Sequence, residues 1–114
     1  MKSKRFKVSL IIASIFLMLL PSTAFAELAS FEITIKDHTF SPVELTVPAN
    51  EKVKLIVENQ DATPEEFESY DLNREKIVTA HGKITVFVGP LKPGTYKYFG
   101  EFHQKTAQGT IIAQ

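Results

Sequence analysis

Cysteine is absent from all 114 residues. That excludes disulfide staples, thiol catalysis, thiolate zinc sites and iron–sulfur clusters. It also excludes a blue-copper centre, which needs a Cys thiolate among its ligands. A Ser/His/Asp set and a nucleophile elbow are missing too, which argues against a hydrolase and leaves no catalytic residue to name. Beyond residue 26 there is no long helical pattern, no repeat and no low-complexity linker.

The first 26 residues read differently from the rest. Lys2, Lys4, Arg5 and Lys7 form a basic start, an apolar run from Val8 to Leu20 follows, and Ala24-Phe25-Ala26 closes it. This layout predicts a secretory signal peptide over 1–26 with an A-x-A cleavage site. The run is shorter than the ~20 residues of a spanning helix, which disfavours a membrane anchor. The expectation is one small exported domain over 27–114, located in the periplasm and not itself spanning the membrane. The formal net charge of zero hides an asymmetry. Removing the four basic residues of the leader from 13 leaves nine against 13 acidic ones, a net charge near −4 for the domain. An acidic domain without a basic stripe is a poor nucleic-acid binder and a better host for a cation.

Phe31 to Lys36 alternates apolar and polar with period two, and so do Val43 to Val47, Val53 to Val57 and Ile84 to Val88. Each such run predicts a half-buried strand. Asp37-His38, Ala49-Asn50-Glu51, Asn59-Gln60-Asp61, His81-Gly82 and Lys92-Pro93-Gly94 read as turns. Glu65 to Tyr70 re-enters as a strand, with Glu66 and Glu68 on one face and Phe67 on the other. Asp71 to Ala80 is less regular. Tyr96 and Tyr98 lie in a further strand, and Gly109 to Ala113 ends the domain. About seven to eight short strands with turns between them predict an all-β, antiparallel β-sandwich.

Between the last two strands, Tyr96 to Gly109 (YKYFGEFHQKTAQG) breaks at Gly100 and carries Glu101 and His103 in a loop. His103 reads as a surface histidine or as a ligand. Glu101 lies two residues before it, and both side chains face the same way if that stretch is extended. Glu66 and Glu68 read as a solvated strand face or as acids that need a cation beside them. Glu75, between Arg74 and Lys76, reads as a solvated turn or as a ligand. His38 and His81 sit in turns, where exposure is the default; His38 is the reserve candidate. Carboxylates suit hard cations such as Fe(III), and imidazole suits Cu(II), Fe and Zn.

FEITIKDHTFSPVELTVPAN, KLIVENQD and LKPGTYKYFGEFH…GTIIA together resemble a cupredoxin-like domain, over nearly the whole of 27–114. The resemblance implies a Greek-key sandwich with a metal site in the last hairpin. Matched residue by residue, Gly100 falls on the blue-copper Cys, His103 on the C-terminal histidine and Gln108 near the axial Met. Acid in PEEFES, at Glu66, replaces the first histidine. The sequence therefore departs from the blue-copper pattern at three ligands. EFES, REK, LKPGTY, YFGEFH and TAQG resemble more closely the cupredoxin-like components of bacterial ferrous-iron uptake, of the Ftr type and the N-terminal domain of Efe-type proteins. That resemblance implies a periplasmic protein with copper as its metal and iron as substrate or second metal. Its partners would be an inner-membrane iron permease and a P19-type iron-binding protein. The matching metal-site positions are Glu66, Glu68, Glu75, Glu101 and His103, and an accessory ferroxidase activity is left open. Two rivals stand beside it: a copper-binding or copper-delivery protein without an iron role, and a metal-free interaction module.

Overall fold

The run Val53–Asn59 shows how sequence becomes structure here. Buried and half-buried positions alternate along all seven residues, with Val53, Leu55 and Val57 turned inward. A strand with that pattern has its neighbours on both sides and a second sheet over one face. The computed structural model describes residues 27–114, so the predicted signal peptide over 1–26 lies outside the described residues.

Nine strands follow one another: β1 (Ser30–Lys36), β2 (Thr39–Ser41), β3 (Glu44–Val47), β4 (Val53–Asn59), β5 (Glu65–Ser69), β6 (Arg74–Val78), β7 (Lys83–Val88), β8 (Gly94–Gly100) and β9 (Gln108–Ala113). One turn of 3-10 helix, Glu101–His103, links β8 to β9. The strands form two sheets, ordered β2-β1-β4-β7 and β3-β9-β8-β5-β6. The described residues therefore form an all-β sandwich, as the alternation predicted.

The sequence reading differs from the structure in two details. Two strands lie beyond the seven runs read from the sequence: β6, inside the less regular Asp71 to Ala80 stretch, and β2, a three-residue piece that pairs with β1 across the Asp37-His38 turn. Three residues are too few to display a period. The pairings are also not all antiparallel, since β1 lies parallel to β4 and β3 parallel to β9. The chain crosses from one sheet to the other between β2 and β3 and again before β4, so β3 pairs with neither of the strands beside it in sequence. Alternation reports which face is buried and carries no information about which neighbour is bonded.

The core runs between the sheets through Ile33, Ile35, Leu55, Val57, Phe67, Val78, Val88 and Ile111. Near β2 it becomes aromatic. Tyr98 stacks on Phe67 at 5.1 Å between centroids, and Phe40 meets Tyr98 edge-on at 5.0 Å. Tyr98 stands opposite Gly109 in the β8–β9 ladder, and a Cβ on Gly109 would run into its ring. The open side between β6 and β7 is closed by cations. Arg74 Nε donates to Phe87 O at 2.8 Å and Lys76 Nζ to Thr85 O at 3.3 Å, capping outward carbonyls of an edge strand.

Candidate metal centre

Strand β5 divides its acids between two faces. Glu65, Phe67 and Ser69 are buried, while Glu66 and Glu68 are half-buried on the outer face. On that outer face the register brings acids together. Glu68 pairs with Glu75 across β5–β6, and with Phe99 across β5–β8. The residue after β8, Glu101, then falls next to Glu66. The carboxylates of Glu66, Glu68 and Glu101 each offer an oxygen within 4.8 Å of the others, the one such group among the described residues.

Loss of hydration and its like-charged neighbours push the Glu68 carboxyl up to about 7, through a hydrogen bond and charge repulsion from Glu101 and the charge of Glu75. Glu66 is raised by the same causes, burial first and then Glu75. Tyr70, next to them, is raised chiefly by the charge of Glu68. The acids of this face repel one another with no base among them, and a cation would balance their charge.

On the inner face Glu65 has donors where Glu68 has acids. Its Oε1 accepts from Phe102 N–H at 2.8 Å and Glu66 N–H at 2.9 Å, and its Oε2 pairs with His103 Nδ1 at 2.6 Å. With two N–H groups already on Oε1, the carboxylate acts as acceptor and Nδ1 as donor. His38 lies flat on the far face of the His103 ring, with centroids 3.6 Å apart and planes 13° from parallel.

The position of His38 follows from its turn. Asp37 and His38 both have positive φ, 53° and 59°, the conformation of a two-residue hairpin with a primed turn. Their N–H groups point at one carboxylate, Asp61, at 2.7 Å and 3.0 Å. Burial would raise the Asp61 carboxyl, but those two backbone bonds and the charge of His38 and His103 outweigh it and hold it below the usual value. Asp61 is itself placed by Asn59, fully buried at the end of β4. The Asn59 amide donates to Thr63 O and Thr79 O, and its Oδ1 accepts from Asp61 N–H.

The predicted site residues therefore fall into two groups. Glu66, Glu68 and Glu101 converge, and Glu75 adds charge from the neighbouring strand without joining the trio. His103 is not with them. The expectation that Glu101 and His103 face the same way assumed an extended chain. Residues 101–103 form 3-10 helix, in which residues two apart point in different directions, so Glu101 turns outward and His103 inward. In the sequence Asp61 has only a place in a turn and Glu65 only a place in a strand, with no site role, and His38 is the reserve candidate. Glu65 did leave a signal: an acid in phase with Phe67, on the apolar face, must find donors.

A family model described as a cupredoxin-like domain matches residues 9–113. An uncharacterized protein of Rickettsia prowazekii (strain Madrid E) is 58% identical over 81 residues, 71% of this chain and 65% of its own length. The chain thus spans less than two thirds of that relative. Among solved structures, auracyanin A, a blue copper protein from Chloroflexus aurantiacus, superposes with a TM-score of 0.66 at 16% identity, over 77% of this chain and 100% of its own. Amicyanin from Paracoccus versutus gives 0.60 at 17% identity, over 81% and 94%. These two likenesses speak for the fold.

The residues present do not fit a blue-copper centre. Gly100, which the resemblance sets on the thiolate position, has no side chain, and a Cβ there would lie 2.6 Å from Glu65 Cδ and 2.7 Å from Ala107 Cβ. The space is filled by a carboxylate of the chain. Gln108, expected near the axial position, is exposed and donates its amide to Gln104 O at 2.9 Å. No three of His38, Asp61, Glu65 and His103 bring ligand atoms within 4.8 Å of one another.

Proposed function

The chain belongs to the cupredoxin-like domain family, and on that premise we propose that it is a metal-binding protein whose cation sits among Glu66, Glu68 and Glu101, with Glu75 beside them. The observation that carries this reading is the convergence of three carboxylates from β5 and from the loop after β8, where crowding by like charge pushes the Glu68 carboxyl up to about 7. An all-oxygen donor set selects hard cations, Fe(III) above softer ions, and Fe(II) or Mn(II) over Cu(I). Iron is read as cargo, bound and handed on.

The setting we propose is the periplasm, beside an inner-membrane iron permease and a P19-type iron-binding protein in ferrous-iron uptake. Its support is the resemblance carried by EFES, REK, LKPGTY, YFGEFH and TAQG, together with the export signal read in 1–26. Holding and handing on iron does not require the chain to oxidise it.

Calorimetric titration tests the site. Fe(II) under anaerobic conditions, Mn(II), Ca(II) and Cu(II) are added to the protein and to Glu68→Gln, Glu101→Gln and His103→Ala. The expected outcome is weakening of Fe(II) and Mn(II) by at least ~10-fold in both Gln variants, as for loss of one charged ligand, with His103→Ala little changed. Equal affinity in all four proteins sinks the assignment. A second reading has its own observation, the stacked imidazoles of His38 and His103. Tight Cu(II) binding lost only in His103→Ala would select copper binding or delivery, and binding of no cation would select the interaction module.

A further inference from the structure

At the position where the family resemblance places a metal-bound thiolate, this chain has a carboxylate and a glycine. The Glu65 side chain is 2% exposed and occupies the volume that any side chain at residue 100 would need, with Oε2 2.8 Å from an ideal Cβ. Three donors converge on it from two elements, the N–H of Glu66 in β5 and the N–H and ring of residues 102 and 103 after β8. The loop beyond β8 also closes on itself. Gly100 N–H bonds to Ala107 O at 2.9 Å, and Ala107 N–H to His103 O at 2.8 Å. Its side-chain tie to β5 is Glu65.

We infer that Glu65 is a metal-free anchor of the loop from Gly100 to Ala107, a positioning residue that joins β5 to the loop by hydrogen bonds where a bound metal would otherwise join them. A metal cross-links loops because its ligands come from separate segments. A buried carboxylate with donors from the same segments does the same. It spends the ring nitrogen of His103 that faces the interior, and it fixes Glu101 on the outer side of the turn. The inference goes beyond the carboxylate-cluster reading and does not depend on it.

Imidazole 15N and amide exchange measurements on the chelator-stripped protein test it. The expected result, before any metal is added, is His103 carrying its ring proton on Nδ1. The Phe102 amide should exchange slower than an exposed amide by on the order of 10-fold or more. Glu65→Gln supplies the second readout. The amide keeps an acceptor for the two backbone N–H groups but turns an N–H towards Nδ1, so the His103 tautomer inverts while Phe102 stays protected. A residue that only fills space would leave the tautomer unmoved. The inference is overturned if stripped His103 carries its proton on Nε2, if Glu65→Gln leaves the tautomer as it was, or if Phe102 becomes protected only after one equivalent of Cu(II) or Zn(II). Failure of the carboxylate-cluster reading shows elsewhere, in the cation affinity of Glu68→Gln.

Discussion

Glu65 and Glu66 are neighbours in the chain and opposites in their surroundings. The first faces the core and receives three donors; the second faces outward among Glu68, Glu75 and Glu101. One step along a strand turns a side chain to the other face, and here it separates a balanced carboxylate from an unbalanced one. The inner cluster is satisfied as it stands, with no buried side-chain polar atom left unpaired among the described residues. The outer cluster is complete only with a counter-charge. The difference separates a group that holds the fold together from a group that costs stability and is free to bind something.

The contrast is broken most sharply at Glu65. Glu65→Ala strips the acceptor from two N–H groups and from His103, and should cost about 3 kcal/mol or more, in line with other buried charged hydrogen-bond partners. Glu66→Ala, one residue away, should leave the urea midpoint unchanged or raise it, because it removes a repelled charge. Equal destabilisation of the two variants in urea unfolding would show that the faces are not distinct.

How far the sequence discloses this contrast depends on the kind of signal. The two-layer sandwich was legible because β1, β4 and β7 alternate over five residues or more. Strand β6 was not, since four of its five residues are exposed and no apolar phase marks it. Glu66 and Glu68 were legible as a pair through period two. Glu101 was named for the wrong reason, an extended stretch shared with His103, and its true neighbour Glu66 follows from the β5–β8 register, which pairs Phe67 with Gly100. The His38–Asp61 contact lies beyond local reading. It joins a turn in one hairpin to a loop 23 residues on, and only the fold brings them together.

That contact gives the next test, smaller in effect. Asp61→Asn keeps one acceptor and loses the charge, so the Asp37-His38 hairpin should be weakened by about 1–2 kcal/mol. The folded-state value of Asp61 lies below its usual value of 3.8. The unfolded state therefore takes up the proton first on acidification, and the stabilisation present above pH ~3.8 is lost as pH falls through the lower folded value. The wild type should show this decline on the acid side and Asp61→Asn should show less of it, in thermal melts between pH 5 and 2. Parallel acid limbs would mean that the Asp61 bonds contribute nothing to folding.

The smallest expected effect is the one that bears most directly on function. Glu68 is shifted the other way, from 4.5 to about 7. Between those values the folded protein holds a proton that the unfolded chain has released. Stability from this group is thus full below pH ~4.5 and is lost as pH rises through about 7, the reverse of Asp61. Glu68→Gln cannot ionise, so its melting temperature should decline less than that of wild type from pH 5 to pH 8. A cation in the cluster replaces the proton, so Mn(II) at pH 8 should restore part of the wild-type loss, release about half a proton from Glu68 on binding near pH 7, and stabilise Glu68→Gln less. If Mn(II) stabilises the variant as much as the wild type, the cation sits elsewhere, and the outer acids are only a crowded face.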